Sequence, residues 1–131
     1  HLRELDGEAE VPVVNQVELH PWLQQRETAA ACDARGIVLE AYGPLGPTAH
    51  WHDATLQAIA TRRGVPVQQV LLRWNLERGH VPIFGTTNPA HLRSNFDALS
   101  WRLDADELAS LDALDAGEHM YWDPIHDAER R

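Results

Sequence analysis

Three short runs rich in β-branched residues constrain this chain most: 11–17 (Val-Pro-Val-Val-Asn-Gln-Val), 37–42 (Ile-Val-Leu-Glu-Ala-Tyr) and 81–84 (Val-Pro-Ile-Phe). Each is followed by at least one helical stretch, with short connections and no hairpin pairing between successive runs. Such an order builds a parallel sheet with helices outside it, so the fold class is α/β. Pro82 restricts the third strand to a first-turn or unpaired position.

Local chemistry punctuates the helices. The alanine-rich stretch 25–35 runs into Gly36, where a left-handed cap stops a helix. Asp53 is an N-cap for a helix with Leu56, Ile59 and Ala60 on one face, ending at Gly64. Between Val67 and Arg78 an apolar stripe of Val70, Leu71 and Trp74 stops at Gly79. Asn88 and Pro89 start a helix reaching Leu99, with proline at the first helical position, where its missing N–H costs nothing. Asp104 and Glu107 have capping-box spacing for a last helix that buries Leu108, Leu111 and Leu114. This divides the chain into a body, residues 1–115, and an irregular tail, residues 116–131. The opening His1-Leu2-Arg3-Glu4-Leu5 reads as the middle of an amphipathic helix without a cap or an initiator Met, from which we expect a fragment or a truncated gene.

Charge and composition exclude some partners. A formal charge of −9 without a Lys/Arg cluster repels a phosphate backbone, so nucleic acid is not expected. No apolar run approaches the ~20 residues of a membrane span, and no signal-peptide pattern is present, so the expectation is a soluble, cytoplasmic protein without a membrane partner. Cys32, the single cysteine, has no partner for an internal disulfide. Its alanine-rich surroundings suit a buried small residue, with a reactive thiol as the other reading.

In parallel α/β folds ligands meet the carboxyl ends of strands, so the residues after each run carry the chemistry. Gln16, Glu18 and His20 alternate to one side after the first; Glu18 and His20 form either an acid/base pair or strand-end partners for backbone groups. Tyr42 ends the second, as a ring that stacks a planar ligand or as a core aromatic, ahead of Gly43-Pro44-Leu45-Gly46. Gly85-Thr86-Thr87-Asn88 follows the third and precedes a helix N-terminus. It suits a phosphate or pyrophosphate, although the same turn also caps ordinary helices. Trp74 and Trp101 are explained by packing, while Trp22, Trp51 and Trp122 are candidates for a substrate pocket. His50, His52, His119, Asp123 and His126 match no known zinc spacing, so no metal is expected.

The string from Val13 to Trp22 (Val-Val-Asn-Gln-Val-Glu-Leu-His-Pro-Trp) resembles the Asn-Gln-x-Glu-x-His-Pro signature of aldo-keto reductases, and Ala41 to Gly46 resembles their next strand end. Val67 to Trp74 and Arg93 to Phe96 are similar to two of their helices, and all four strings stand in the family's order. The subgroup most resembled is the bacterial ketoacid and diketogluconate reductase type. The resemblance implies a partial TIM (β/α)8 barrel: the C-terminal part, with family strands six to eight and their helices. It implies that the catalytic Asp, Tyr, Lys and His lie upstream of His1, leaving no catalytic residue here and an isolated chain that is inactive. It also implies NAD(P)H as cofactor, a small aldehyde or ketone as substrate, and the missing N-terminal half of the barrel as partner. A noncatalytic dinucleotide-binding or half-barrel module is the alternative.

By the same resemblance Gln16 holds the nicotinamide carboxamide, Tyr42 stacks on its face, and Gly43 and Leu45 edge the pyrophosphate. Thr86 faces the adenosine ribose or its phosphate, and Asn95 reaches the adenine. Gly85 stands where the family usually has Lys, and His91 where an Arg clamps the NADP 2′-phosphate. These departures favour NADH over NADPH.

Overall fold

A computed structural model describes Gly7, residues 10–121 and Asp123 of the 131-residue chain. Its strands are β1 (Val14–Glu18), β2 (Val38–Tyr42) and β3 (Val81–Pro82). The helices are α1 (Arg26–Asp33), α2 (Ala54–Arg63), α3 (Val67–Glu77), α4 (Pro89–Asp97) and α5 (Ala105–Asp112). Short 3-10 turns at Thr48–His52 and Ala98–Ser100 complete the order. The sheet runs β1-β2-β3 with both pairings parallel, as the sequence pattern requires.

Caps place the helix ends. The Asp53 side chain accepts the Thr55 and Leu56 N–H groups, and Gly64 closes α2 at φ 65. Asn88 accepts Ala90 N–H ahead of Pro89, and Asp104 and Glu107 form a complete capping box on α5. The strand bounds differ from expectation, by one residue at the start of β2 and by more at β1 and β3. β1 begins at Val14, past Pro12, which cannot donate to a ladder, and runs on through Glu18, paired with Tyr42; Val11 and Val13 stand exposed before it. β3 keeps only Val81 and Pro82 as strand, although Ile83 still donates its N–H to the Ala41 carbonyl at 2.9 Å. Of the three leucines expected to be buried there, Leu111 is fully buried, while Leu108 and Leu114 pack on the core from its rim.

The two faces of the sheet differ. Leu39, Ala41 and Leu19 point toward the helices and join Trp22, Cys32, Leu56, Ile59, Val70, Leu71, Trp74 and Leu111 in one core. Buried Cys32 receives the Asn15 amide at 3.5 Å, which fits a small packed residue. The opposite face shows registered pairs: Val14 beside Val38, Gln16 beside Glu40, and Glu18 beside Tyr42. Since side chains alternate along a strand, these rows share one side of the sheet, apolar at the amino end and polar at the carboxyl end. Among the described residues no helix is long and apolar enough to cross a membrane.

Candidate functional site at the carboxyl ends of the strands

The row Gln16, Glu40, Glu18 and Tyr42 lies where a parallel sheet presents its chemistry. Gln16 is exposed and donates its Nε2 to Glu40 Oε2 at 3.0 Å, which orients the amide and leaves its oxygen as an acceptor. Glu40 was not among the expected site residues; the register of two runs with alternating side chains was the signal that could have found it. Tyr42 is half-buried, and burial first, then the Glu18 charge, push its hydroxyl above the ordinary tyrosine range. Gly43 turns the chain at φ 59, a left-handed conformation that favours glycine. Leu45 packs against the core, and its carbonyl accepts Trp51 Nε1 at 3.0 Å.

Glu18 and His20 are both buried, and His20 Nε2 stands 3.2 Å from Glu18 Oε1. Burial lowers the His20 pKa against the opposing hydrogen bond and charge of Glu18. A neutral ring donating from Nε2 carries no proton on Nδ1, which is buried without a partner. Glu18 also accepts backbone N–H groups of Met120 at 2.6 Å and Tyr121 at 3.3 Å. This geometry matches the strand-end reading: the two residues bind each other, and the carboxylate serves backbone donors.

The turn after β3 lies beside the end of β2. Thr86 Oγ1 accepts Asn88 N–H at 3.1 Å and Asn88 Oδ1 accepts Ala90 N–H at 2.9 Å, so this turn caps α4 in the ordinary way, and Gly85, Thr86 and His91 are exposed while Asn95 is half-buried. A Cβ at Gly85 would touch nothing, which leaves open space there. Of the pocket tryptophans, Trp51 is half-buried near this end. Trp22 is only 4% exposed and stacks on His50 with ring centroids 4.7 Å apart, so it belongs to the core beneath the site. Trp122 and His126 lie outside the described residues. Among the described residues no cluster of three or more His, Cys, Asp or Glu side chains could hold a metal ion.

A cleft of about 610 Å³ opens at the other end of β2, lined by Cys32, Val38, Trp74, Arg78, His80 and Asp112 among others. Its polar groups are largely engaged with one another. Asp112 accepts Trp74 Nε1 at 2.8 Å and pairs with Arg78, and His80 Nδ1 meets Asn75 Oδ1 at 3.3 Å. It faces the amino ends of the strands, away from the row described above.

The aldo/keto reductase family model matches residues 1–116. An aldo-keto reductase of Mycolicibacterium vanbaalenii is 42% identical over 113 residues, covering 86% of this chain and 40% of the relative. An uncharacterised oxidoreductase of Schizosaccharomyces pombe is 34% identical over 129 residues, covering 97% of this chain and 45% of the relative. The crystal structure of MGS-M4, an aldo-keto reductase from a deep-sea metagenome library, superposes with a TM-score of 0.87 at 31% identity, covering 93% of this chain and 46% of that one. A mutant of Gox0644 in complex with NADPH gives the same TM-score at 34% identity, over 95% of this chain and 46% of that one. The chain belongs to the aldo/keto reductase family, and its parallel sheet and helices form part of that family's barrel. It spans under half the length of these relatives.

Proposed function

We propose that this chain supplies the dinucleotide-holding part of an NAD(P)H-dependent reductase of aldehydes or ketones. The observation that carries the reading is the shared placement of Gln16, Glu18 and Tyr42 on one face of the sheet at adjacent strand ends. The site fits a nicotinamide. The Gln16 oxygen is a directed acceptor for a carboxamide, the half-buried Tyr42 offers a ring face, and the Gly43 turn keeps backbone close to that ring. When bound, the reduced dinucleotide supplies the hydride; the acid that protonates the carbonyl oxygen comes from beyond this chain. Gly43 and Leu45 edge the pyrophosphate, Thr86 serves the ribose, Asn95 approaches the adenine, and Trp51 borders the substrate.

NADH is the favoured cofactor. Gly85 offers no side chain, and exposed His91 is a weaker phosphate clamp than a guanidinium. The Gox0644 neighbour holds NADPH, so the preference rests on these two residues of this chain. Dissociation constants for both reduced cofactors on the full-length protein test it, with NADH expected to bind at least as tightly as NADPH. His91→Arg should tighten NADPH about tenfold, since one charge-assisted bond contributes roughly 1.5–3 kcal/mol. Clearly tighter NADPH binding by the wild type would overturn the preference.

A further inference from the structure

Glu40 sits in the middle of β2 on the same face of the sheet as Gln16 and Tyr42, and the register sets its company. Gln16 lies across from it on β1, and Val81 lies across from it on β3. Of these lateral neighbours only Gln16 has a side chain that can hydrogen-bond a carboxylate, and its Nε2 donates to Glu40 Oε2 at 3.0 Å. The other acid of this row, Glu18, is turned to His20 and to the backbone of Met120 and Tyr121. Glu40 is therefore committed to Gln16.

A neutral amide can turn over, exchanging oxygen for nitrogen with little change of shape. An ionised carboxylate accepts and never donates, so Glu40 settles which way the Gln16 amide lies: Nε2 toward the carboxylate, Oε1 away from it. Such a charge-assisted bond is about twice as strong as one between neutral groups. Gln16 thus presents an acceptor to the space above the sheet, with a negative charge close behind it.

That arrangement discriminates among groups carried on a pyridine ring. A carboxamide brings an N–H to Oε1. An acetyl group has nearly the same size and brings only an acceptor, and a carboxylate brings a charge of the same sign as Glu40. A site made to accept a hydrogen bond rejects an analogue that lacks the donor, since acceptor then faces acceptor. Were the Gln16 amide free to turn, its Nε2 would serve the acetyl oxygen and the discrimination would fade.

We propose that Glu40 is a positioning residue: it holds the Gln16 amide with its oxygen outward, and so makes the site selective for a ring bearing a carboxamide over one bearing an acetyl or a carboxylate group. The inference rests on the reductase reading, in which Gln16 meets the nicotinamide.

The test is a set of dissociation constants on the full-length protein for dinucleotides that differ only in that ring substituent (carboxamide, acetyl or carboxylate), in whichever of the NAD and NADP series binds more tightly. Wild type should bind the carboxamide form about tenfold or more tighter than the acetyl form, with the carboxylate form weakest. Glu40→Gln keeps the size and removes the constraint, because a second amide can either give or accept. The ratio of carboxamide to acetyl affinity should fall at least about threefold, chiefly through tighter binding of the acetyl form. A residue that merely braced the strand would weaken all the forms in proportion and leave the ratio where it was. A Glu40→Gln ratio unchanged from wild type, or a wild-type ratio within about twofold of unity, overturns the proposal and leaves dinucleotide binding intact. Should Glu40→Gln fail to fold, Glu40→Met, apolar like the adjacent Val81, is read by the same ratio. A folded wild type that binds none of the forms at about millimolar concentration overturns the reductase reading and this proposal with it.

Discussion

His80 shows how one side chain makes stability depend on pH. Burial first, then the Arg78 charge, pull its pKa down from 6.5 to about 4. Between those values the unfolded chain binds a proton that the folded chain refuses, so stability rises with pH through the window and is lost as pH falls from 6.5 toward 4. His20 is lowered too, chiefly by burial, and acts in the same direction. One such group gives a slope of up to about 1.4 kcal/mol per pH unit. Urea midpoints should therefore fall steadily on acidification below about 6.5, and His80→Gln should flatten the fall. A wild-type midpoint that stays level down to about pH 4.5 would contradict a half-buried, neutral His80. At this scale the sequence placed Gln16, Glu18 and Tyr42 on strand ends, because alternation along a strand is a local property. It could not show Glu18 meeting Met120 and Tyr121, since a contact between residues so distant in sequence leaves no periodic trace. Trp22 was likewise illegible: an aromatic after a strand fits a pocket wall and a core equally well until Gly46, Trp22 and His50 are seen packed together.

Between elements, Glu107 joins α5 to α2. Only 1% exposed, it accepts Arg63 Nε at 2.8 Å, Arg62 at 2.9 Å and the Asp104 N–H at 2.9 Å. Burial alone would raise its pKa, but the Arg63 hydrogen bonds, the Asp104 N–H and the two guanidinium charges outweigh burial and hold it below the ordinary range. Glu107→Ala removes the cap partner and the inter-helix pair together and should cost about 2 kcal/mol or more; Asp104→Ala, chiefly a cap loss, should cost about 1 kcal/mol. Equal costs in urea denaturation would show that Glu107 acts only as a cap. Helix starts were legible because Asp53, Asn88 and the Asp104–Glu107 box act within one turn of themselves. Strand extents were less so: whether Ile83 and Phe84 continue β3 depends on what β2 offers across the sheet.

For the whole molecule, the sheet is covered by helices on one side, while Val14, Val38 and Val81 stand 41–46% exposed on the other. β1 and β3 are its edges. Exposed apolar residues beside an unpaired edge favour association, so the isolated chain should sediment as dimers or larger species, and Val14→Lys should shift it toward monomer. A monomeric wild-type chain at the same concentration would show the exposed face to be tolerated as it stands. The central claim is that the carboxyl ends of these strands grip a nicotinamide dinucleotide, and titration of the full-length protein with NADH and NADPH, wild type against Tyr42→Ala, tests it most directly. The account predicts micromolar binding of at least one coenzyme, weakened about tenfold or more by the loss of the ring. Absence of binding to either at about millimolar concentration, or a Tyr42→Ala protein that binds as tightly as wild type, would contradict it.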